Sequence, residues 1–237
     1  AGRAALLVWT TTPWTLVSNT AVAVHPDVDY VVATDGSETL VVAEPLLESA
    51  LGEGWTVEAT VKGRDMERWT YQRPFELVAF PEGEDAHIVV LADYVTVEDG
   101  TGLVHQSPAF GEDDMKVCRA YGLPVVTPVR PDGHFDDDVP LVGGQFFKHA
   151  DADLVKDLEA RGLMYRHLAY EHAYPHCWRC DTPLLFRVVD EWYISMGPVY
   201  DQPRETLTRE QVEASLRYQI MEVVDQIRWI PGFGYER

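Results

Sequence analysis

Basic residues are scarce in this chain. Its 237 residues include 19 Lys and Arg against 39 Asp and Glu, a formal net charge of −20. A protein that grips a long stretch of nucleic acid unaided shows a basic face, because phosphate neutralisation supplies much of the affinity. The charge argues against that role, but not against a small pocket taking only the end of a strand presented by another domain. Cysteine is scarce too: Cys118, Cys177 and Cys180 are the full set. An odd, low count without a secretory signal points to a reducing, cytoplasmic setting. No apolar run is long enough to span a bilayer. Ala1 to Leu7 carries one Arg and no long apolar core, so no signal peptide is read there.

What is present suits a folded domain. Hydrophobic residues make up 46% of the chain, enough for one sizeable core, or one core and a smaller appendage. Strand-like runs occur at Ala5–Thr10, Ala21–Val24, Tyr30–Thr34, Thr39–Val42, Trp55–Val61, His87–Ala92, Gly102–His105 and Val125–Val129. Helices are expected over Glu44–Leu51, over Glu112–Tyr121 with Met115, Cys118 and Tyr121 inward, and over Ala152–Arg161 with Asp151 as N-cap. Short strands at irregular spacing with helices between them predict an α+β domain on a barrel-like sheet. Beyond about Leu168 the texture becomes aromatic and Cys/His-rich. A capping-box pattern, Thr208 to Gln211, then opens a helix with a Val212, Leu216, Ile220, Val223 stripe. A boundary is placed there, giving a barrel-like domain over 1–168 and a CxxC-containing segment over 169–237. The chain opens directly on an apolar strand and closes at Trp229-Ile230-Pro231-Gly232, as expected of a piece of a longer protein.

Three places could carry chemistry. The first is Trp9-Thr10-Thr11-Thr12-Pro13-Trp14-Thr15, where hydroxyls stand at a strand end and a proline takes the chain into a turn. A plain strand end with solvated hydroxyls is the bland reading; a pocket for a small polar ligand carrying a stackable base is the functional one. The second runs from Gly100 to Asp114 (GTGLVHQSPAFGEDD). Acidic residues on a first helical turn are expected from the helix dipole alone, yet a carboxylate there could grip an ammonium group while His105 shapes a pocket. A Ser107–His105–Asp114 triad is disfavoured, since Ser107 does not sit in a nucleophile-elbow sequence. The third is His176-Cys177-Trp178-Arg179-Cys180. A CxxC is half of a four-ligand zinc site, and neither His172 nor His176 clearly completes it.

Taken in order, these segments resemble one family. Leu7 to Asn19 (LVWTTTPWTLVSN) resembles the threonine-rich peptide of isoleucyl-tRNA synthetase editing domains (connective peptide 1), and Gly100 to Asp114 resembles their second pocket segment. Tyr174 to Cys180, then Trp192 and Trp229-Ile230-Pro231, resemble the return toward the catalytic domain. Valyl relatives carry an arginine-proline-glutamate pattern where this chain has Thr12-Pro13-Trp14. Two departures stand out: Val17-Ser18 where the family often has proline-alanine, and Gln106-Ser107 with Ala109-Phe110, which look more archaeal and eukaryotic than bacterial.

The resemblance implies an α+β, β-barrel-like editing domain with peripheral helices, and hydrolysis of the ester of misacylated valyl-tRNA(Ile). Asp114 is expected to bind the α-ammonium and His105 to line the side-chain pocket. Thr10, Thr11 and Thr12 are expected to contact the ester and terminal adenosine, with Trp14, Asn19 and Phe110 as further substrate contacts. Asp114, His105, Thr11 and Thr12 are the expected catalytic groups, with water as nucleophile. No cofactor is expected for editing, and zinc at Cys177 and Cys180 only with ligands from outside this chain. The expected partners are the 3′ end of tRNA(Ile) carrying valine and the rest of the synthetase in cis, in a monomer with no membrane. The ATP-handling HIGH-type and KMSKS-type signatures are missing, so isoleucine activation is not expected of this segment. The competing readings are a non-catalytic tRNA-positioning module with a partial zinc ribbon, and a free-standing hydrolase acting on another small ester.

Overall fold

The computed structural model describes residues 4–171 and 173–232. Among them run seven strands: β1 (Ala5–Leu6), β2 (Ala21–Val24), β3 (Asp29–Thr34), β4 (Thr39–Ala43), β5 (Thr56–Lys62), β6 (Ile88–Leu91) and β7 (Leu103–Gln106). The α-helices are α1 (Leu47–Leu51), α2 (Glu112–Ala120), α3 (Phe147–Ala160), α4 (Arg209–Glu213) and α5 (Leu216–Asp225). The class is α+β as expected. The strands form two open mixed sheets, ordered β1-β4-β3-β5 and β6-β2-β7, with no closed barrel among the described residues.

The second sheet positions the site. Its central strand β2 pairs parallel with β6 and antiparallel with β7. All four of its residues are buried. Val22 and Val24 join a core with Tyr30, Val31 and Val41 of the first sheet, while Ala21 and Ala23 face Cys118 of α2. A strand covered on both faces reads as a continuous apolar run rather than an alternating one, which is why Ala-Val-Ala-Val suits it. Gly102 opens β7 with a positive φ of 74°, and a Cβ there would lie 2.4 Å from that of Ala43. Only glycine lets the two sheets approach so closely at that corner.

Several expectations needed correction. Val125–Val129 forms no strand, only a Val129–Phe135 bridge; Pro124 just before it and Pro128 within it each lack a ladder donor. The helix expected to start after an Asp151 N-cap begins earlier, at Phe147, because the buried stripe Phe147, Ala150, Leu154, Leu158 continues through Asp151. Asp151 caps something else: its carboxylate accepts the backbone N–H of Trp14 at 2.8 Å. The capping box forms as expected, with Gln211 N–H donating to Thr208 Oγ1 at 3.2 Å and Thr208 N–H to Gln211 Oε1 at 2.9 Å. The helix it opens breaks before Ser215. Of the expected stripe only Val212 is buried, while Leu216, Ile220 and Val223 are exposed, and Tyr218 is the residue turned inward, stacked on Tyr200.

The chain divides into two compact units, one running to Val188 and one from Val189. The change of texture near Leu168 therefore falls inside the first unit. Tyr174 and Leu185 pack on the Trp14–Phe147 core, and the Val188 N–H donates to the Ala109 carbonyl at 2.8 Å. No helix among the described residues is long and apolar enough to cross a membrane.

Candidate active site

Pro13 begins a 3-10 turn over Pro13–Ser18, closed at its start by the Thr15 N–H donating to the Thr12 carbonyl at 3.1 Å. Proline fits that first position because its fixed φ suits the turn and its missing N–H would have no partner there. The turn leads through Asn19 and Thr20 into β2. Strand β7 lies antiparallel beside it, with His105 opposite Val22. The two motif segments, remote in sequence, are thus neighbours through one strand pair.

Their polar side chains bond to one another in a directed chain. Asn19 Nδ2 donates to the Ala21 carbonyl at 3.0 Å and to His105 Nδ1 at 2.9 Å. An amide nitrogen can only donate, so His105 Nδ1 must be the unprotonated acceptor and Nε2 carries the hydrogen. Nε2 then donates to Thr15 Oγ1 at 2.8 Å, and Thr15 passes its own hydrogen to the Thr12 carbonyl, also at 2.8 Å. Thr12 Oγ1 lies 3.2 Å from Thr15 Oγ1 and 3.3 Å from Thr10 Oγ1. Burial holds the His105 imidazole down to about 4, since charging it in a dry interior is costly. With both nitrogens occupied and the ring neutral, His105 has no free lone pair with which to act as a base.

Asp114 reaches the same region from α2. Its Oδ2 accepts the Ser107 N–H at 2.7 Å. Gly111, just before the helix, permits this fold-back: a Cβ there would stand 2.8 Å from the Asp114 carboxyl carbon. Burial pushes the Asp114 carboxyl up to about 6, against the lowering effect of the Ser107 N–H. A carboxylate has about four acceptor positions, so one N–H leaves room for an ammonium group. Ser107 Oγ is 2.7 Å from Ser18 Oγ, both buried. The two departures from the family pattern therefore meet as one contact. Ser107 makes no bond to His105, and no Ser107–His105–Asp114 triad assembles.

The remaining expected residues divide. Thr11 is half-buried and has no side-chain hydrogen bond among the described residues. Trp14 is buried in the core, with its ring edge-to-face against Phe110 and Phe147 at 4.8 Å each. It anchors the turn, and Phe110 is its half-buried neighbour. The exposed indole of that segment is Trp9, which meets Tyr170 edge-on at 5.0 Å. Thr15 and Tyr71 were not foreseen. Thr15 was readable as the last hydroxyl of the threonine peptide. Tyr71, whose hydroxyl donates to Asn19 Oδ1 at 2.6 Å, lies in a stretch with no motif to mark it. A separate concavity lined by Leu77, Thr127, Pro128, Asp136 and Val139 holds none of these residues.

The CxxC forms a tight turn, with the Asp181 N–H donating to the Cys177 carbonyl at 2.9 Å and a bridge between His176 and Pro183. Cys180 Sγ donates to Thr182 Oγ1 at 3.3 Å, and bonds from Thr182 and then Cys177 lower its thiol pKa. His172 lies outside the described residues. His176 turns its Nδ1 to the Tyr174 carbonyl at 2.9 Å. Among the described residues no group of three or more His, Cys, Asp or Glu could hold a metal. A zinc ion at the turn would need further donors.

The architecture matches a solved structure, GlLeuRS-CP1, with a TM-score of 0.54 and 16% identity, over 71% of this chain and 84% of that one. The fold is that of this CP1 domain. In sequence, the chain is 72% identical to the isoleucine–tRNA ligase of Streptomyces coelicolor over 85% of its length. It is 40% identical to that of Pseudomonas aeruginosa and 37% to that of Methanothermobacter marburgensis, each over 99% of its length. It covers 19%, 24% and 21% of those relatives, about a fifth of each. No family model matches it. The chain belongs, as one segment, to the isoleucine–tRNA ligase family.

Proposed function

We propose that this chain hydrolyses the ester of valyl-tRNA(Ile) and spares isoleucyl-tRNA(Ile). The need for such a step is physical. One methylene gives only about 1–3 kcal/mol of discrimination in a hydrophobic pocket, so a second site must reject by size what the first cannot; that magnitude is quoted for this very enzyme class. The observation that carries the reading is the meeting of the threonine peptide and the His105–Asp114 segment in one hydrogen-bonded group, within a fold and sequence of the isoleucine–tRNA ligase kind.

In this reading Asp114 accepts the α-ammonium group, a contact common to all amino acids. His105 and Thr12 supply the bulk that sets the size limit. Water attacks the ester carbonyl, a C–O bond forms, and the bond to the terminal ribose oxygen breaks, that oxygen leaving with a proton. No side chain becomes acylated, since Ser107 is tied to Ser18 and His105 has no free lone pair. The threonine hydroxyls and the ribose hydroxyl position the water. The net charge of −20 fits a domain to which tRNA is delivered by the rest of a longer enzyme in cis.

The test is deacylation of valyl- and isoleucyl-tRNA(Ile) at high protein concentration, with Asp114→Ala as control. Faster loss of valine, abolished in the control, supports the reading. Equal loss of both, or loss that survives the control, overturns it. If neither ester is cleaved, binding of a non-hydrolysable valyl-adenosine analogue decides. Failure of the chain to bind it leaves the non-catalytic positioning module as the better account.

A further inference from the structure

We infer that Tyr71 is a positioning residue of this site, acting through Asn19 to hold His105 in its Nε2–H form. The inference rests on the proposed editing function for its catalytic consequence, and on geometry alone for its structural one.

Tyr71 comes from neither motif segment. It follows Thr70, which bridges to Ile88 at the start of β6, and its own N–H donates to the His87 carbonyl at 3.0 Å. Its ring packs against the core between the two sheets. The hydroxyl donates to Asn19 Oδ1 at 2.6 Å. The direction is unambiguous, because an amide oxygen has no hydrogen to give, and burial pushes the phenol further toward its protonated form.

This bond gives the last polar atom of the Asn19 side chain a partner. Its Oδ1 takes the Tyr71 hydrogen, and the two Nδ2 hydrogens go to Ala21 and His105. Asn19 is itself buried, at 2% exposure, so each bond counts: a buried amide oxygen without a donor carries the full cost of its lost hydration. Tyr71 and the Ala21 carbonyl together fix which end of the amide faces the imidazole. That end fixes the tautomer, and the tautomer fixes the direction of the bonds through Thr15 to the threonine peptide. A flipped amide would present oxygen to His105, draw the hydrogen to Nδ1, and reverse the Thr15 contact. Three chain segments, not two, therefore set the shape of the wall that separates valine from isoleucine.

The test uses Tyr71→Phe, which removes one oxygen and keeps the ring, with nitrogen-15 signals of the His105 ring read by NMR. Asn19→Asp serves as reference for an inverted ring, because a carboxylate there can only accept. The expected result is a His105 signal set displaced from wild type toward that reference, with the valyl-over-isoleucyl rate ratio falling about three- to tenfold, the size of one net hydrogen bond. A folded Tyr71→Phe protein whose His105 ring signals match wild type overturns the inference, whatever the rates do. If the wild-type chain cleaves neither ester, the editing reading fails by itself, and the ring signals still decide whether Tyr71 sets the imidazole.

Discussion

The threonine–histidine site and the Cys177–Cys180 turn are both marked by short motifs, yet the structure treats them differently. In the first, the donors meet acceptors from elsewhere in the same chain: Asn19 meets Tyr71 and His105, Asp114 meets Ser107, and Trp14 meets Asp151. In the second, the two thiols find only Thr182 and each other, and no third metal-binding side chain joins them among the described residues. A preorganised site costs little to assemble when substrate arrives. A two-donor turn remains dependent on groups brought from outside.

The most severe way to break that contrast is Asp114→Ala. Removing the half-buried Asp114 carboxylate proposed to meet the α-ammonium should lower kcat/KM for the valyl ester by roughly 10²–10³-fold, the cost of leaving that charge unpaired. A smaller loss, measured by single-turnover deacylation, would take Asp114 out of its role. The same group sets a pH limit. A raised pKa means that the ionised form is disfavoured, so kcat/KM should fall as pH drops through about 6, while His105, neutral above about 4, should not titrate in that range.

Asp114→Asn turns the same residue into a stability measurement. The wild-type carboxyl is raised from 3.8 to about 6, so its neutral form favours folding below the unfolded pKa. That stability is lost as pH rises through the folded value. The variant should therefore match wild type near pH 4 and exceed it by about 2–3 kcal/mol above pH 6, read from denaturant melts, while losing hydrolysis. An equal stability difference at both pH values would show that burial of the charge is not the cause.

His105→Ala sharpens the size argument. Opening the wall should raise hydrolysis of isoleucyl-tRNA relative to valyl-tRNA by about tenfold or more, the worth of one methylene or so. An unchanged ratio would assign the size limit elsewhere. The smallest effect is expected at the other region. Cys177→Ser should leave the chain's melting free energy within about 0.5 kcal/mol, since the half-buried thiol contributes no packed core. A large loss on adding a chelator to the wild-type chain would show that the turn finds its donors after all.

Much of this was legible in the sequence, and the misses share a cause. Runs such as Ala21–Val24 and Thr39–Ala43, and the capping box at Thr208, are local signals, and they form almost where the residue pattern puts them. The site's two segments could be read because each carries its chemistry within a dozen or so residues. What failed were inferences from a local sign to a partner remote in sequence. Asp151 looked like a helix cap by residue type and position, but its partner is 137 residues away. Trp14 was expected to contact substrate, and its ring is packed in the core against Phe110 and Phe147.

By itself, then, the amino-acid sequence determined the family, the α+β class and the positions of most strands and helices. Composition, periodicity and turn chemistry act over short stretches, and short stretches are what a sequence displays. Only the tertiary structure decided which nitrogen of His105 bears its hydrogen, that Ser18 meets Ser107, and that the Tyr71 hydroxyl meets Asn19. Those facts are hydrogen-bond directions between atoms brought together by packing two sheets. An amide or imidazole has no fixed role until its neighbours are in place.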